Sequence, residues 1–415
     1  MTRFLGLCVA SLLVIALPFL VHGNAISTPE SAISPEAHAL HFRSIVVDTH
    51  DDTTQRLLDP HFDLAVRHAD GSIDIPRMRE GGLGAIFFSI YIPGTITGPP
   101  AVEQALAQIA AVRRTVAGNS KDMVLATTAS DIRRAHAEGK IAALMGVEGG
   151  HMIDDSLANL DRFASLGVRY MTLTHMVDTD WGDSSTGKFT HNGLTDFGKQ
   201  VVLEMNRRGI MVDISHVSDK TFYDALAVSR APLISSHSSC RALCSAPRNM
   251  TDDMIRALAA KGGVIQINYH IGFLSQKFRD VSDAHPELGK YIEDETKKRC
   301  GAAGEACEVI EGDKITRELV AEGKLPRVEW TEIIDHIDHA VKIAGIDHVG
   351  LGSDFDGADM PYGMEDASHL PQITDALLKR GYSPQDVQKI LGGNTLRLME
   401  AVEAVQTASS HSGGN

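Results

Sequence analysis

"SIVVDTHDD", residues 44–52, is an apolar, β-branched run that stops on His50, Asp51 and Asp52. An imidazole and carboxylates are costly to bury unpaired, so such a strand either surfaces there or closes around something. His50 and Asp52 are alternate residues of an extended chain and lean to the same side. The form recurs in "GAIFFSIY" (84–91), "AALMGVEG" (142–149), "YMTLTH" (170–175), "IMVDISH" (210–216), "PLISSH" (232–237), "GVIQINYH" (263–270) and "HVGLGSDFDG" (348–357). Amphipathic segments lie between several of them. "LTDFGKQVVLEMNRRGI" ends at Gly209 and the strand that follows it, and "TDDMIRALAAKGG" starts on a Thr and Asp cap and ends on paired glycines. Eight apolar runs alternating with helices predict parallel strands buried on both faces. They close most economically into a (β/α)8 TIM-type barrel, an α/β fold. An open doubly wound sheet is the alternative, but the first strand–helix turn lacks a G-x-G-x-x-G phosphate loop.

Outward from the strands, residues 41–405 read as one barrel domain. Segment 275–327, charged and holding two cysteines, reads as an excursion before the last unit. "SPQDVQKILGGNTLRLMEAV" reads as two extra helices split by Gly392 and Gly393, with Asn394 capping the second. Residues 24–40 read as a polar lead-in and 406–415 as a disordered tail. Residues 1–23, with Arg3, an apolar core broken by Pro18 and small residues around Gly23 to Ala25, read as a secretory signal, the alternative being an N-terminal anchor. The expected mature protein is exported, soluble and without a stable membrane anchor. In an oxidising compartment Cys300 and Cys307, flanking "GAAGEA", suit a local disulfide. Cys240 and Cys244 could face one another if helical, with backbone geometry deciding whether they bond.

The chain is acidic, with a formal net charge of −15 over 415 residues, which argues against a nucleic-acid partner. Its chemistry gathers at the strand ends, where barrel enzymes keep their sites: His50 and Asp52, Glu148, His175, His216, His237, Tyr269, and Asp354 with Asp356. Imidazoles with carboxylates suit zinc-type ions. Five ligands exceed what one catalytic zinc uses, so two ions sharing a carboxylate, roughly 3.5–4 Å apart with a bridging hydroxide, fit better. Asp51 and Asp356 lean away by strand alternation and read as supports. His136 and His151 read as surface or supporting residues, His270 as a turn residue, and Trp181 as either a pocket wall or packing.

"VVDTHDD", "GVEGG", "TLTHMVDTDWGDS", "VDISHVS", "SSHSSCRALCSAPRNM", "GLGSDFDG" and "LGGNTLRL" resemble, in order, the motifs of the membrane (renal) dipeptidase family, the M19 metallopeptidases. The resemblance spans residues 44 to about 404. It implies an amidohydrolase-like barrel with two Zn²⁺ ions that hydrolyses dipeptides as a homodimer. Carried over, His50 and Asp52 bind one zinc, His216 and His237 the other, and Glu148 bridges them with the hydroxide. His175, Arg248 and Asp354 match substrate-contacting positions. Tyr269, read at its strand end, joins them, and Asp354 and Glu148 are the catalytic carboxylates. Animal members have a disulfide partner for the cysteine that Cys244 matches. With no Cys near residue 275, Cys244 is here either free or paired with Cys240. The animal members' lipid-anchor signal has no counterpart in "QTASSHSGGN", and a soluble periplasmic bacterial enzyme fits better. Two other readings stay open. One is another barrel metallohydrolase of the same class, acting as a deaminase or on lactones or phosphotriesters; the other is a non-catalytic periplasmic metal-binding protein.

Overall fold

All eight runs form strands: β1 (Val46–Asp51), β2 (Leu83–Tyr91), β4 (Ile141–Glu148), β5 (Val168–Thr172), β6 (Met211–Asp213), β7 (Ile234–Ser238), β8 (Val264–Ile267) and β9 (Val349–Leu351). The computed structural model describes residues 33–412, so the signal reading lies outside the described residues. Every strand pairs in parallel with its neighbour in the order β1-β2-β4-β5-β6-β7-β8-β9. An unforeseen strand, β3 (Met123–Leu125), pairs with the start of β4. The ends of the sheet meet where Asp51 bridges Phe355, with the Asp52 amide donating to the Phe355 carbonyl at 2.9 Å.

Period-two alternation sorts the strand residues between two cores. Val46, Ile86 and Phe88 pack in one, against helices such as Pro99–Gly118. Val47, Ala85, Phe87, Leu144, Tyr170 and Ile234 pack in the other. The C-terminal helix Asn394–Ser412 joins this second core through Leu396, Met399 and Val402. Its start sits against the strand beginnings. A Cβ on Gly392 would come within 2.3 Å of the Ile45 carbonyl, so glycine is required for that approach.

Three boundaries differ from the sequence reading. The lead-in already turns helical at Pro35–Arg43, capped by Ser34 and burying Ala37, Leu40 and His41, because that short stretch has an inward apolar face. The last helix continues to Ser412, into the segment read as a tail, since "EAVEAVQTASS" carries good helix formers and no breaker. Asn394 does not cap: its backbone is helical, and its Nδ2 instead donates to the carbonyls of Ile346 and Val349, both at 2.8 Å. The excursion is helical, comprising Gln276–Ala284, Pro286–Cys300 and Glu305–Ala321. The Cys300–Cys307 disulfide is formed, while Cys240 and Cys244 are free and buried. No described helix is long and apolar enough to cross a membrane.

Candidate metal centre

Six strands deliver a polar residue to the same end of the barrel. His50 lies within β1 and Glu148 closes β4, while His175, His216 and Asp354 lie three residues beyond β5, β6 and β9, and His237 lies in β7. His216 (φ 64°) and Asp354 (φ 67°) adopt left-handed backbone, unusual for non-glycine residues and tolerated where the surroundings enforce it.

Glu148 is the hub. Its Oε2 lies 3.3 Å from His50 Nε2, and its Oε1 lies 3.1, 3.2 and 3.6 Å from Nε2 of His216, His237 and His175. His50 Nε2 also faces Asp52 Oδ2 at 3.4 Å and Asp354 Oδ1 at 3.7 Å. Three groupings could each hold a cation: His50 with Glu148 and His237; Glu148 with His175 and His216; and His50 with Asp52 and Asp354.

Neighbouring residues set the tautomers. The hydroxyl of Tyr170 lies 2.7 Å from His50 Nδ1. Ser236 Oγ lies 2.7 Å from His237 Nδ1 and donates to Asp213 Oδ2 at 2.6 Å. With its Nδ1 proton so engaged, His237 turns an Nε2 lone pair inward. At His50, burial, which lowers the imidazole, is outweighed by the Tyr170, Glu148 and Asp52 charges, which raise it well above the usual range while no cation is bound. His50 Nε2 and Asp52 Oδ1 are buried without a hydrogen-bond partner, and the Nε2 atoms of His216 and His237 face each other at 3.0 Å. Lone pairs converging in this way fit a bound cation. Burial drives His216 and His237 well below the usual imidazole range, so they are neutral, as metal coordination would require. Burial alone would raise the Glu148 carboxyl, but the facing imidazoles hold it well below the usual range, so it is ionised. Asp354 accepts from Asn268 Nδ2 at 2.8 Å.

Arg248 is no solvated turn residue. It is buried, with Nη1 donating to Ser238 Oγ at 3.1 Å and Nη2 3.1 Å from His216 Nε2, and its guanidinium lies over the Phe273 ring. Tyr269 is a correction. Fully buried, it packs edge-on against Phe355, its hydroxyl has no partner, and it does not line the cavity over Glu148. The next residue, His270, set aside as a turn residue, lines it instead, with Phe273. The strand-end reading misplaces this pair because β8 ends at Ile267, two residues before Tyr269.

Asp51 and Asp356 do support. Thr53 Oγ1 reaches both, and Asp356 also accepts the Ser72 amide at 2.6 Å. Trp181 is packing, tight against Gly150. His151 is buried behind the site, and burial lowers it to about 4. Tyr91 and Glu305 are among the cavity residues that escaped the sequence reading. Tyr91 ends the one long strand to which no site residue was assigned, so its terminal position was a usable signal. Glu305 sits in the excursion, where no pattern marks it.

The profile of the membrane dipeptidase family, peptidase family M19, matches residues 34–413. The chain belongs to this family. It is 34% identical over 346 residues to dipeptidase 3 of Rattus norvegicus (82% of this chain, 60% of the relative) and 35% identical to dipeptidase 3 of Mus musculus (82% and 59%). The chain thus spans about three fifths of the length of these curated relatives. Among solved members, the probable dipeptidase PvdM of Pseudomonas aeruginosa superposes with a TM-score of 0.75 at 28% identity, covering 89% of this chain and 98% of that one. A Rhodobacter sphaeroides metallopeptidase, solved with a phosphinate mimic of L-Ala-D-Ala, gives 0.71 at 27% identity, covering 86% and 99%. Membership in the membrane dipeptidase family agrees with the parallel barrel and with a metal-ligand set at its strand ends.

Proposed function

We propose that the chain is a dinuclear zinc dipeptidase that hydrolyses the amide bond of free dipeptides. The observation that carries this reading is the division of Glu148, whose two oxygens serve separate sets of imidazoles. His50 and Asp52 would hold one ion and His216 and His237 the other. When bound, the ion pair supplies an acidified, metal-bridging hydroxide and polarises the scissile carbonyl. Asp354, held by Asn268 at the rim of the site, moves the proton to the leaving amine. Arg248 takes the substrate carboxylate bidentately, which its planar fork suits. The dipeptide mimic bound to the Rhodobacter relative supports the substrate class.

The test is hydrolysis of a dipeptide panel by zinc-loaded and chelator-treated protein, with metal content measured on the same samples. Chelator-sensitive cleavage at about two zincs per chain is expected. Cleavage that survives metal removal, or activity only on lactones, phosphotriesters or aminated bases, would overturn the reading.

We infer further that the enzyme is an exported, periplasmic homodimer. The disulfide supports an oxidising compartment, and the dimer rests on family resemblance. Gel filtration with light scattering giving a monomer at micromolar concentration would remove the dimer.

A further inference from the structure

The excursion forms part of the wall of the active-site cavity. Residues of Pro286–Cys300 and Glu305–Ala321 line a space of about 500 Å³ that reaches Glu148, Asp52 and Asp354. This wall is anchored. Phe278, Ile315 and Leu319 share a small core, and Thr316 Oγ1 donates to Asp359 Oδ2 at 2.9 Å, beyond the end of β9.

The wall brings negative charge to the cavity without matching cations. Its Lys297 is already paired with Glu293. Glu305 accepts from the Tyr91 hydroxyl, and Glu308, one turn along, also lines the cavity. Neither Glu305 nor Glu308 forms a salt bridge among the described residues. Asp52 lines the same space, but the dipeptidase reading gives it to a metal ion, so the charge the wall itself adds is that of Glu305 and Glu308. Arg248 lies on the side of Glu148 that carries His216 and Asp354, whereas Glu305 lies toward Asp52 and Tyr91. A dipeptide with its carboxylate on Arg248, as in the dipeptidase reading, would then reach across Glu148 with its N-terminal residue toward Glu305. The Cys300–Cys307 disulfide brackets Glu305 in sequence and ties down the start of its helix.

We propose that Glu305, assisted by Glu308, determines specificity by receiving a cationic side chain, that of lysine, ornithine or arginine, on the N-terminal residue of the substrate. The proposal rests on the dipeptidase reading above.

The experiment compares kcat/KM for Lys-Ala and for norleucine-Ala, its uncharged near-isostere, with Ala-Ala and Glu-Ala alongside, using the zinc-loaded full chain. Wild type should favour Lys-Ala over norleucine-Ala about tenfold or more, as one charged hydrogen bond allows, with Glu-Ala poorest. Glu305→Gln should cut that ratio at least fivefold, and Glu308→Gln should cut it less, in the same direction. A wild-type ratio near one overturns the proposal. So does a Glu305→Gln variant that slows both substrates equally, which would leave Glu305 only the role of anchoring Tyr91. Should Glu305→Gln fail to fold, an unchanged ratio in Glu308→Gln overturns it. Hydrolysis of Ala-Ala without any Lys preference sinks this inference alone, whereas no hydrolysis of any dipeptide sinks the dipeptidase reading and this inference with it.

Discussion

The phenol of Tyr170, on β5, crosses the barrel to place its hydroxyl 2.7 Å from Nδ1 of His50, on β1. It passes over Gly146 of the intervening β4, where a Cβ would lie 1.9 Å from the ring. This contact fixes which nitrogen of His50 faces Glu148. Tyr170→Phe should strand a buried donor, costing about 1–3 kcal/mol, and weaken zinc binding roughly 10- to 100-fold. Gly146→Ala should act in the same direction by pushing the ring aside. Chelator competition measures both, and unchanged zinc affinity in both variants would show that the hydroxyl does not orient His50.

Glu148→Gln should lose metal as well as rate, because a neutral amide is a poor bridge between cations. Metal analysis after gel filtration is expected to show less than half of the wild-type zinc. A variant that keeps both zincs would contradict the bridging role.

Arg248→Ala should lower kcat/KM for free dipeptides about 10- to 100-fold, the worth of one charged hydrogen-bond partner, while both zincs stay bound. It should lose little toward a dipeptide amide, which has no carboxylate and should already be a poor substrate. Equal losses on the acid and the amide would mean that Arg248 does not read the C-terminus.

His336 makes stability depend on pH. Its Nδ1 accepts the Cys240 amide at 3.0 Å, so the proton sits on Nε2, 2.9 Å from the Leu274 carbonyl. Burial lowers this imidazole to about 4 from the usual 6.5. Between those values the unfolded chain binds a proton that the fold refuses. The contribution is therefore complete above pH 6.5 and lost as the pH falls toward 4, to a limit of about 3 kcal/mol. Melting curves from pH 7.5 to 4.5 should show His336→Gln with a shallower acid slope, by up to one proton. Parallel slopes for wild type and variant would show that His336 titrates normally.

Much of the site was legible because barrel strands are short and their ends are chemically conspicuous. Buried apolar runs that stop on His or a carboxylate pointed to His50, Asp52, Glu148, His216 and His237, and the structure brings the three histidines around Glu148, with Asp52 facing His50. Tyr269 was misread because its apolar run was taken as strand through residue 270, whereas β8 ends two residues before Tyr269. Asp213 and Tyr170 carried no signal for their roles. Each acts by supporting a histidine on another strand, and sequence separation says nothing of that.

The sequence by itself determined the parallel barrel, the end of it that gathers the polar side chains, and most of the candidate metal-binding residues, since burial periodicity and residue type are local properties of the chain. Only the tertiary structure decided which oxygen of Glu148 faces which imidazole, which histidine tautomers are held, and that Arg248 is buried against His216. It alone also folded a charged excursion into a wall of the active site. Those outcomes depend on long-range packing, on Gly146 leaving room for a ring from the next strand and on a helix more than 200 residues downstream meeting Tyr91. No stretch of sequence encodes such distances until the barrel closes.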